Sequence, residues 1–77
     1  MADSGGSDAR AVDIDARGLK CPWPALRLAR AMRQTDRAVI VADDPIAPAE
    51  IASLAGEQGW AVDAIETRIG PGWRVSR

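Results

Sequence analysis

The sequence has no histidine, a single cysteine, and neither phenylalanine nor tyrosine among its 77 residues. One cysteine cannot form an internal disulfide, so the fold does not depend on an oxidising compartment. Without histidine, the chain lacks the base of a cysteine-histidine hydrolase. A single cysteine and no histidine cannot supply the set of nitrogen and sulfur ligands that a zinc site needs. A dithiol oxidoreductase needs a second cysteine, which is also absent. Aliphatic residues and three tryptophans must therefore build the core.

Long apolar segments are missing as well. No run approaches the ~20 residues that a membrane-spanning helix needs, and the first ten residues, MADSGGSDAR, have no apolar centre of the kind found in signal peptides. We therefore expect a flexible leader over residues 1–10, one domain over residues 11–77, no membrane contact and a cytoplasmic location. The hydrophobic content of 47% is typical of a folded domain.

The charges are divided between two parts of the chain, although the net charge is only −1. Residues 16–37 contain six basic side chains and one acid, whereas residues 38–67 contain six acids and no base. The basic part is either an ordinary solvated face or a docking surface for an acidic protein or an RNA.

The hydrophobic pattern predicts the order β-α-β-α-β-β. Strands are expected from AVDIDA and AVIVA, and an amphipathic helix from about Pro22 to Gln34 lies between them. A second helix should end at Gly59, and its inner stripe should include Gln58. We expect an α/β two-layer sandwich in which two helices cover one face of a four-stranded mixed sheet. Imperfect alternation in WAVDAIETRI indicates a bulge, and GPG at residues 70–72 indicates the last turn.

Cys21 lies at the predicted junction between the first strand and the first helix. Pro22 fits the first helical position and Pro24 the third, which makes the helix start rigid. The positive end of the helix dipole, together with Lys20 and Arg17, should favour the thiolate and lower the pKa of Cys21. The N–H group of Trp23 should point toward the sulfur. A buried, inert cysteine is the alternative, which the flanking lysine and prolines disfavour.

An exposed thiolate without a base or a second thiol is suited to carrying a group. The sulfur atom accepts a group, holds it covalently and presents it to another protein. A persulfide fits best, because sulfur passes between thiols by displacement and the carrier needs no acid or base of its own.

The segment Leu19-Lys20-Cys21-Pro22-Trp23-Pro24 resembles the Cys-Pro-x-Pro signature of the TusA (SirA-like) family of sulfur carriers. The resemblance covers about Asp13 to Arg77 and includes Asp44-Pro45, Glu50-Ile51 and Gly59. It implies the same β-α-β-α-β-β sandwich, sulfane sulfur carried on Cys21, and no metal or organic cofactor. The implied donors are a cysteine desulfurase or a rhodanese. The implied acceptors are DsrE-like proteins that feed tRNA 2-thiolation, or components of sulfur oxidation or molybdenum-cofactor pathways.

The candidate site residues follow from these arguments. Cys21 is the catalytic candidate. The residues expected to shape the site are Lys20, Pro22, Trp23 and Pro24. The candidates for partner docking are Arg17, Arg27, Arg30 and Asp44. Trp23 either folds over the helix start or stands exposed as a docking anchor, and Asp44 either caps a turn or contacts a basic partner.

Three departures from the family pattern leave the carrier chemistry intact and concern the partner. A bulky Trp23 separates the two prolines, and Trp60 stands where many members have histidine. The last strands, rich in aromatic residues in the family, are here reduced to Trp73. We expect a monomer that binds no nucleic acid directly. The alternatives are a small RNA-binding module that uses Arg27, Arg30 and Arg33, or a regulatory protein with an inert cysteine.

Overall fold

The structure is a computed structural model that describes residues 11–77. The predicted leader, residues 1–10, lies outside the described residues. The elements are β1 (Ile14–Asp15), α1 (Trp23–Ala31), β2 (Arg37–Val41), α2 (Ala47–Gln58), β3 (Ala61–Thr67) and β4 (Gly70–Ser76). The predicted element order is confirmed.

The four strands form one mixed sheet in the spatial order β1-β2-β4-β3. Strand β1 pairs with β2 in parallel, and β4 pairs in antiparallel fashion with both β2 and β3. The apolar run in β2 fits its central place, because four of its five residues are buried. Since β1 and β2 are parallel, the loops that follow them emerge at the same end of the sheet. That shared end positions the candidate site.

Both helices pack on one face of the sheet. The buried core combines side chains from α1, α2 and the inner face of the strands: Ile14, Ala16, Leu28, Met32, Ala38, Ile40, Ala47, Ile51 and Val75. The core is aliphatic, and Trp60 and Trp73 only pack against it. The expectation that all three tryptophans build the core is therefore wrong for Trp23, which is 57% exposed.

Helix α2 ends where the sequence predicted. Gly59 adopts a left-handed conformation with φ of 76°, which glycine reaches without the steric cost of a Cβ atom. The N–H of Trp60 donates to the carbonyl of Ala55, which satisfies one of the last helical acceptors. The inner stripe is Ala47, Ile51 and Ala55. Gln58, predicted to belong to it, is exposed.

The hairpin of β3 and β4 differs from the prediction in two respects. The pairing runs without interruption from Ala61 opposite Ser76 to Thr67 opposite Gly70, so there is no bulge. Residues 70–72 belong to β4, and the turn consists of Arg68 and Ile69. The Thr67 hydroxyl closes this turn, because it donates to the Gly70 carbonyl at 2.6 Å and accepts from the Ile69 N–H.

Gly72 has a packing role instead of a turn role. A Cβ atom on Gly72 would lie 2.6 Å from the Ile40 carbonyl oxygen and 2.9 Å from a methyl group of Val41. The absence of a side chain at this position lets β4 pack closely against β2, a use of glycine that sequence spacing alone does not distinguish from a turn.

Candidate functional site

Cys21 lies between β1 and α1, directly before the first helical turn, and its side chain is partly exposed. Pro22 is the N-cap, Trp23 the first helical residue and Pro24 the second. The predicted register of the helix start is therefore wrong by one residue, and the helix ends at Ala31 rather than Gln34. Pro24 is buried, whereas Pro22 is exposed and follows a cis peptide bond. One proline thus anchors the helix start in the core while the other faces solvent.

The backbone donors around Cys21 are occupied. The N–H of Cys21 donates to the Asp44 carboxylate at 2.5 Å. The N–H of Trp23 donates to the carbonyl of Lys20 at 2.8 Å, within a turn that encloses Cys21. The expectation that this N–H points toward the sulfur is wrong, because the turn takes it up.

Asp43 and Asp44 tie together the two loops at this end of the sheet. Asp43 accepts a hydrogen bond from the Gly18 N–H at 2.9 Å. Asp44 accepts from Cys21 and from the Ile46 N–H at 3.1 Å, so it also caps the turn that leads into α2. The hydrogen bond from Cys21, followed by that from Ile46 and the charge of Lys20, holds the pKa of Asp44 below its ordinary value. Asp44 therefore stays ionised while it fixes the cysteine backbone.

The electrostatic environment of the thiol is the opposite of the prediction. Desolvation by partial burial raises the pKa of Cys21, and the negative charge of Glu50, its hydrogen bond with the thiol, and the charge of Asp44 raise it further. The expected lowering assumed that the helix dipole, Lys20 and Arg17 would dominate. In the folded chain, desolvation and the carboxylates of Glu50 and Asp44 instead raise the pKa of Cys21.

Arg17 is engaged elsewhere. Its guanidinium forms a two-point pair with Asp15, with Nη2 2.8 Å from Oδ2 and Nε 2.9 Å from Oδ1. This pair raises the pKa of Arg17 and lowers the pKa of Asp15. Lys20, Arg27 and Arg30 are exposed, and no carboxylate of residues 11–77 forms an ion pair with them. Of the four proposed docking residues, Arg27 and Arg30 are exposed and form no ion pair within residues 11–77. Arg17 is paired with Asp15, and Asp44 accepts hydrogen bonds from Cys21 and Ile46.

Three large apolar side chains stand exposed near the starts of the two helices. Trp23 is 57% exposed, Leu26 50% and Ile46 53%. Trp23 and Leu26 lie one turn apart on α1, and Ile46 is the N-cap of α2, two residues after Asp44. This exposure favours the anchor interpretation of Trp23. The sequence pattern did not distinguish Leu26 or Ile46 from core residues, although both follow proline-containing turns at the predicted helix starts.

Trp60 lies at the opposite end of the molecule, where α2 ends. The Arg77 guanidinium stacks over its ring at 5.7 Å from the centroid. Both line a cavity of about 210 Å³. The departure from the family's histidine therefore falls outside the surroundings of Cys21.

The fold and the site define a small α/β domain that presents one thiol on a stiff helix start. The family described as Sulfurtransferase TusA matches residues 12–76, and the chain belongs to this family of sulfur carriers. The resemblance noted from the Cys-Pro-x-Pro segment is confirmed.

A solved structure shares the fold. It is the SirA-like protein from Desulfitobacterium hafniense, with a TM-score of 0.64 and 24% identity over 82% of this chain and 90% of that chain. None of the curated proteins matches the chain. Within residues 11–77, neither helix has the length and apolar character to cross a membrane.

Proposed function

We propose that the protein carries sulfane sulfur as a persulfide on Cys21 and relays it from a donor protein to an acceptor protein. The observation that carries this proposal is the position of Cys21. It is a partly exposed thiol whose backbone is fixed by Asp44 at the end of the sheet where both helices begin. Membership of the TusA family supports it.

The loading step is a displacement between sulfur atoms. The Cys21 thiolate attacks the outer sulfur of a persulfide on the donor, and a new S–S bond forms on Cys21. The S–S bond of the donor breaks, and its electron pair stays on the donor sulfur, which takes up a proton. Delivery repeats this step with an acceptor thiolate as the nucleophile. No net oxidation occurs, and Cys21 is the covalent carrier site of this sulfurtransferase-type relay.

The proposed donors are a cysteine desulfurase or a rhodanese, and the proposed acceptor is a DsrE-like protein or another thiol protein. The tasks served are tRNA 2-thiolation or sulfur oxidation. We place this relay in the cytoplasm and expect a monomer, because a carrier must meet several partners with the same end of the sheet.

Partner recognition is assigned to the exposed side of α1 and its surroundings. Trp23, Leu26 and Ile46 offer exposed apolar contact area near the starts of the two helices, and large aromatic side chains are enriched among the residues that dominate binding energy. Arg27 and Arg30 continue the same side of α1 with positive charge. This arrangement suits a partner with an apolar recess for the tryptophan and acidic residues beyond it.

Replacement of Cys21 by serine tests the carrier role. The serine variant should keep the fold, measured by far-UV circular dichroism, and should lose transfer of radiolabelled sulfur from a cysteine desulfurase to an acceptor. Ser53→Ala, a substitution on an exposed position of α2, is the control and should transfer at the wild-type rate. Transfer by the Cys21→Ser variant at the wild-type rate would refute the proposal.

A further inference from the structure

The two edge strands of the sheet differ in how much backbone they leave open. Strand β1 forms one edge and comprises only Ile14–Asp15, whereas β3 forms the other edge and runs over Ala61–Thr67. Proline, lysine and bulges commonly protect a sheet edge from pairing with a further strand. Strand β3 has none of these, since its sequence is AVDAIET and its pairing with β4 is uninterrupted. The β3 edge is therefore open to an added strand.

The hydrogen-bond register determines which backbone groups of β3 face outward. Successive residues of β4 direct their N–H and C=O groups alternately toward β2 and toward β3. The N–H of Arg77, directly after β4, donates to the carbonyl of Asp36, directly before β2, so residue 77 and every second residue before it face β2. The residues between them face β3, where their partners are Ala61, Asp63, Ile65 and Thr67. The backbone groups that point away from β4 belong to the remaining residues of β3, which are Val62, Ala64 and Glu66.

The charges on β3 define the kind of segment that fits this edge. Asp63 and Glu66 are its only charged residues, and both are exposed. Asp63 forms an ion pair of 3.6 Å with Arg74 of β4, whereas no lysine or arginine of residues 11–77 forms an ion pair with Glu66. A second copy of β3 would bring its own two acids to the same edge, which opposes self-pairing. A strand with lysine or arginine would instead meet opposite charge.

We propose that the β3 edge is a docking site for an extended, basic segment of a partner protein, which adds to the sheet through main-chain hydrogen bonds. This edge lies three strand spacings, or about 14 Å, from β1, the strand that leads to Cys21. A segment held there leaves the thiol uncovered. The site is thus separate from the carrier role and can hold one protein while Cys21 meets another.

The probe is a synthetic peptide of the same length as β3 in which valine alternates with lysine, and the first measurement is NMR of the isotope-labelled protein. In the free protein, the outward amide protons of Val62 and Ala64 should exchange with water faster than the inward ones, which are bonded to β4. In the complex, nuclear Overhauser effects to the peptide should appear at these outward amide protons. The inward amide protons of Asp63 and Ile65 should show none, because they point toward β4.

Substitutions at the edge test the contact itself. Ala64→Pro removes the central outward N–H at a place where an edge strand tolerates proline, so peptide binding should weaken about tenfold or more while circular dichroism shows the native fold. Ala64→Val keeps the N–H and should bind like the wild type. Glu66→Lys should weaken binding several-fold at low salt. Glu57→Lys, the same change of charge at an exposed position of α2, is its control and should have a smaller effect.

A second form of the test does not depend on the folding of Ala64→Pro. The backbone nitrogens of the peptide are methylated at alternate positions, in two complementary sets. Only one edge of an added strand pairs with β3, so one set should abolish binding and the other should preserve it.

The proposal would be overturned if the peptide failed to bind, or if it bound equally well with either set of methyl groups. Outward amides that are protected in the free protein, increasingly so at higher protein concentration, would also overturn it, because the edge would then pair with a second copy. None of these results bears on sulfur loading of Cys21, so this proposal and the carrier function fail separately.

Discussion

The two sides of helix α1 differ in exposure: one side packs into the core, and the other side is open to solvent. The inner side places Pro24, Leu28 and Met32 in the core, where all three are buried. The outer side exposes Trp23 and Leu26, together with two arginines, Arg27 and Arg30. Leucine occurs on both sides, so residue type alone does not decide its role. Position relative to the helical period decides whether a leucine stabilises the fold or remains free for a partner.

The largest effect is expected on the inner side. Leu28→Ala should lower the free energy of unfolding by about 2–5 kcal/mol, because it removes a fully buried side chain from a core too small to compensate. Urea denaturation measures this loss. Leu26→Ala is the matched control on the outer side and should change the free energy by less than about 0.5 kcal/mol. Equal losses in the two variants would contradict the proposed division of the helix.

The next effect is expected at the outer side and concerns binding. Trp23→Ala should weaken affinity for a donor or acceptor protein by about tenfold or more, since it removes the largest exposed apolar side chain on this side. Isothermal titration calorimetry measures the affinity. Alkylation of Cys21 at a fixed pH is the accompanying control and should change little. A variant that binds as tightly as the wild type would show that the exposed ring is not an anchor.

A smaller and salt-dependent effect is expected for the arginines. Arg27→Glu combined with Arg30→Glu should slow association with the partner several-fold at low salt, and the difference should shrink as salt is added. Stopped-flow mixing measures the rates. Arg33→Glu combined with Arg37→Glu changes the net charge equally at exposed positions beyond the end of α1. If this control pair slows association just as much, the effect belongs to net charge rather than to the outer side of α1.

The smallest expected effect is a loss of folding stability at low pH that depends on Asp44. The pKa of Asp44 is lowered in the folded protein, so its contribution to stability is fully present above its ordinary value near 3.8. That contribution is lost as the pH falls below this value and through the folded pKa. Asp44→Asn should therefore show a smaller loss of stability between pH 5 and pH 2 than the wild type, measured by denaturant titration at each pH. Identical profiles of stability against pH in the variant and the wild type would contradict the role of ionised Asp44 in holding the Cys21 backbone.

Local patterns were sufficient to predict the element order, the sheet and the place of the cysteine. The apolar run of β2, the helical spacing of Leu28 and Met32, and Gly59 each act through their own immediate neighbourhood. Apart from the exact ends of α1 and the local turn that takes up the Trp23 N–H, the errors at the site lie where distant residues meet. The Asp44 contact with Cys21 spans 23 positions, and the influence of Glu50 on the thiol likewise depends on how α2 packs beside α1.

The position of Gly72 shows the same limit. In sequence, GPG is a typical turn signal, but the close approach of β2 explains the glycine once the sheet is assembled. The predicted lowering of the Cys21 pKa is wrong for a related reason. Lys20 and Arg17 are close to Cys21 in sequence and could be considered directly. Glu50 and Asp44, which raise the pKa, are distant in sequence and act on the thiol only after folding.

The carrier role of Cys21 is tested most directly by the mass of the intact protein after incubation with a cysteine desulfurase and cysteine. The account predicts a gain of one sulfur atom that a reductant removes and that the Cys21→Ser variant never acquires. No gain, either with this donor or with a rhodanese and thiosulfate, would contradict it.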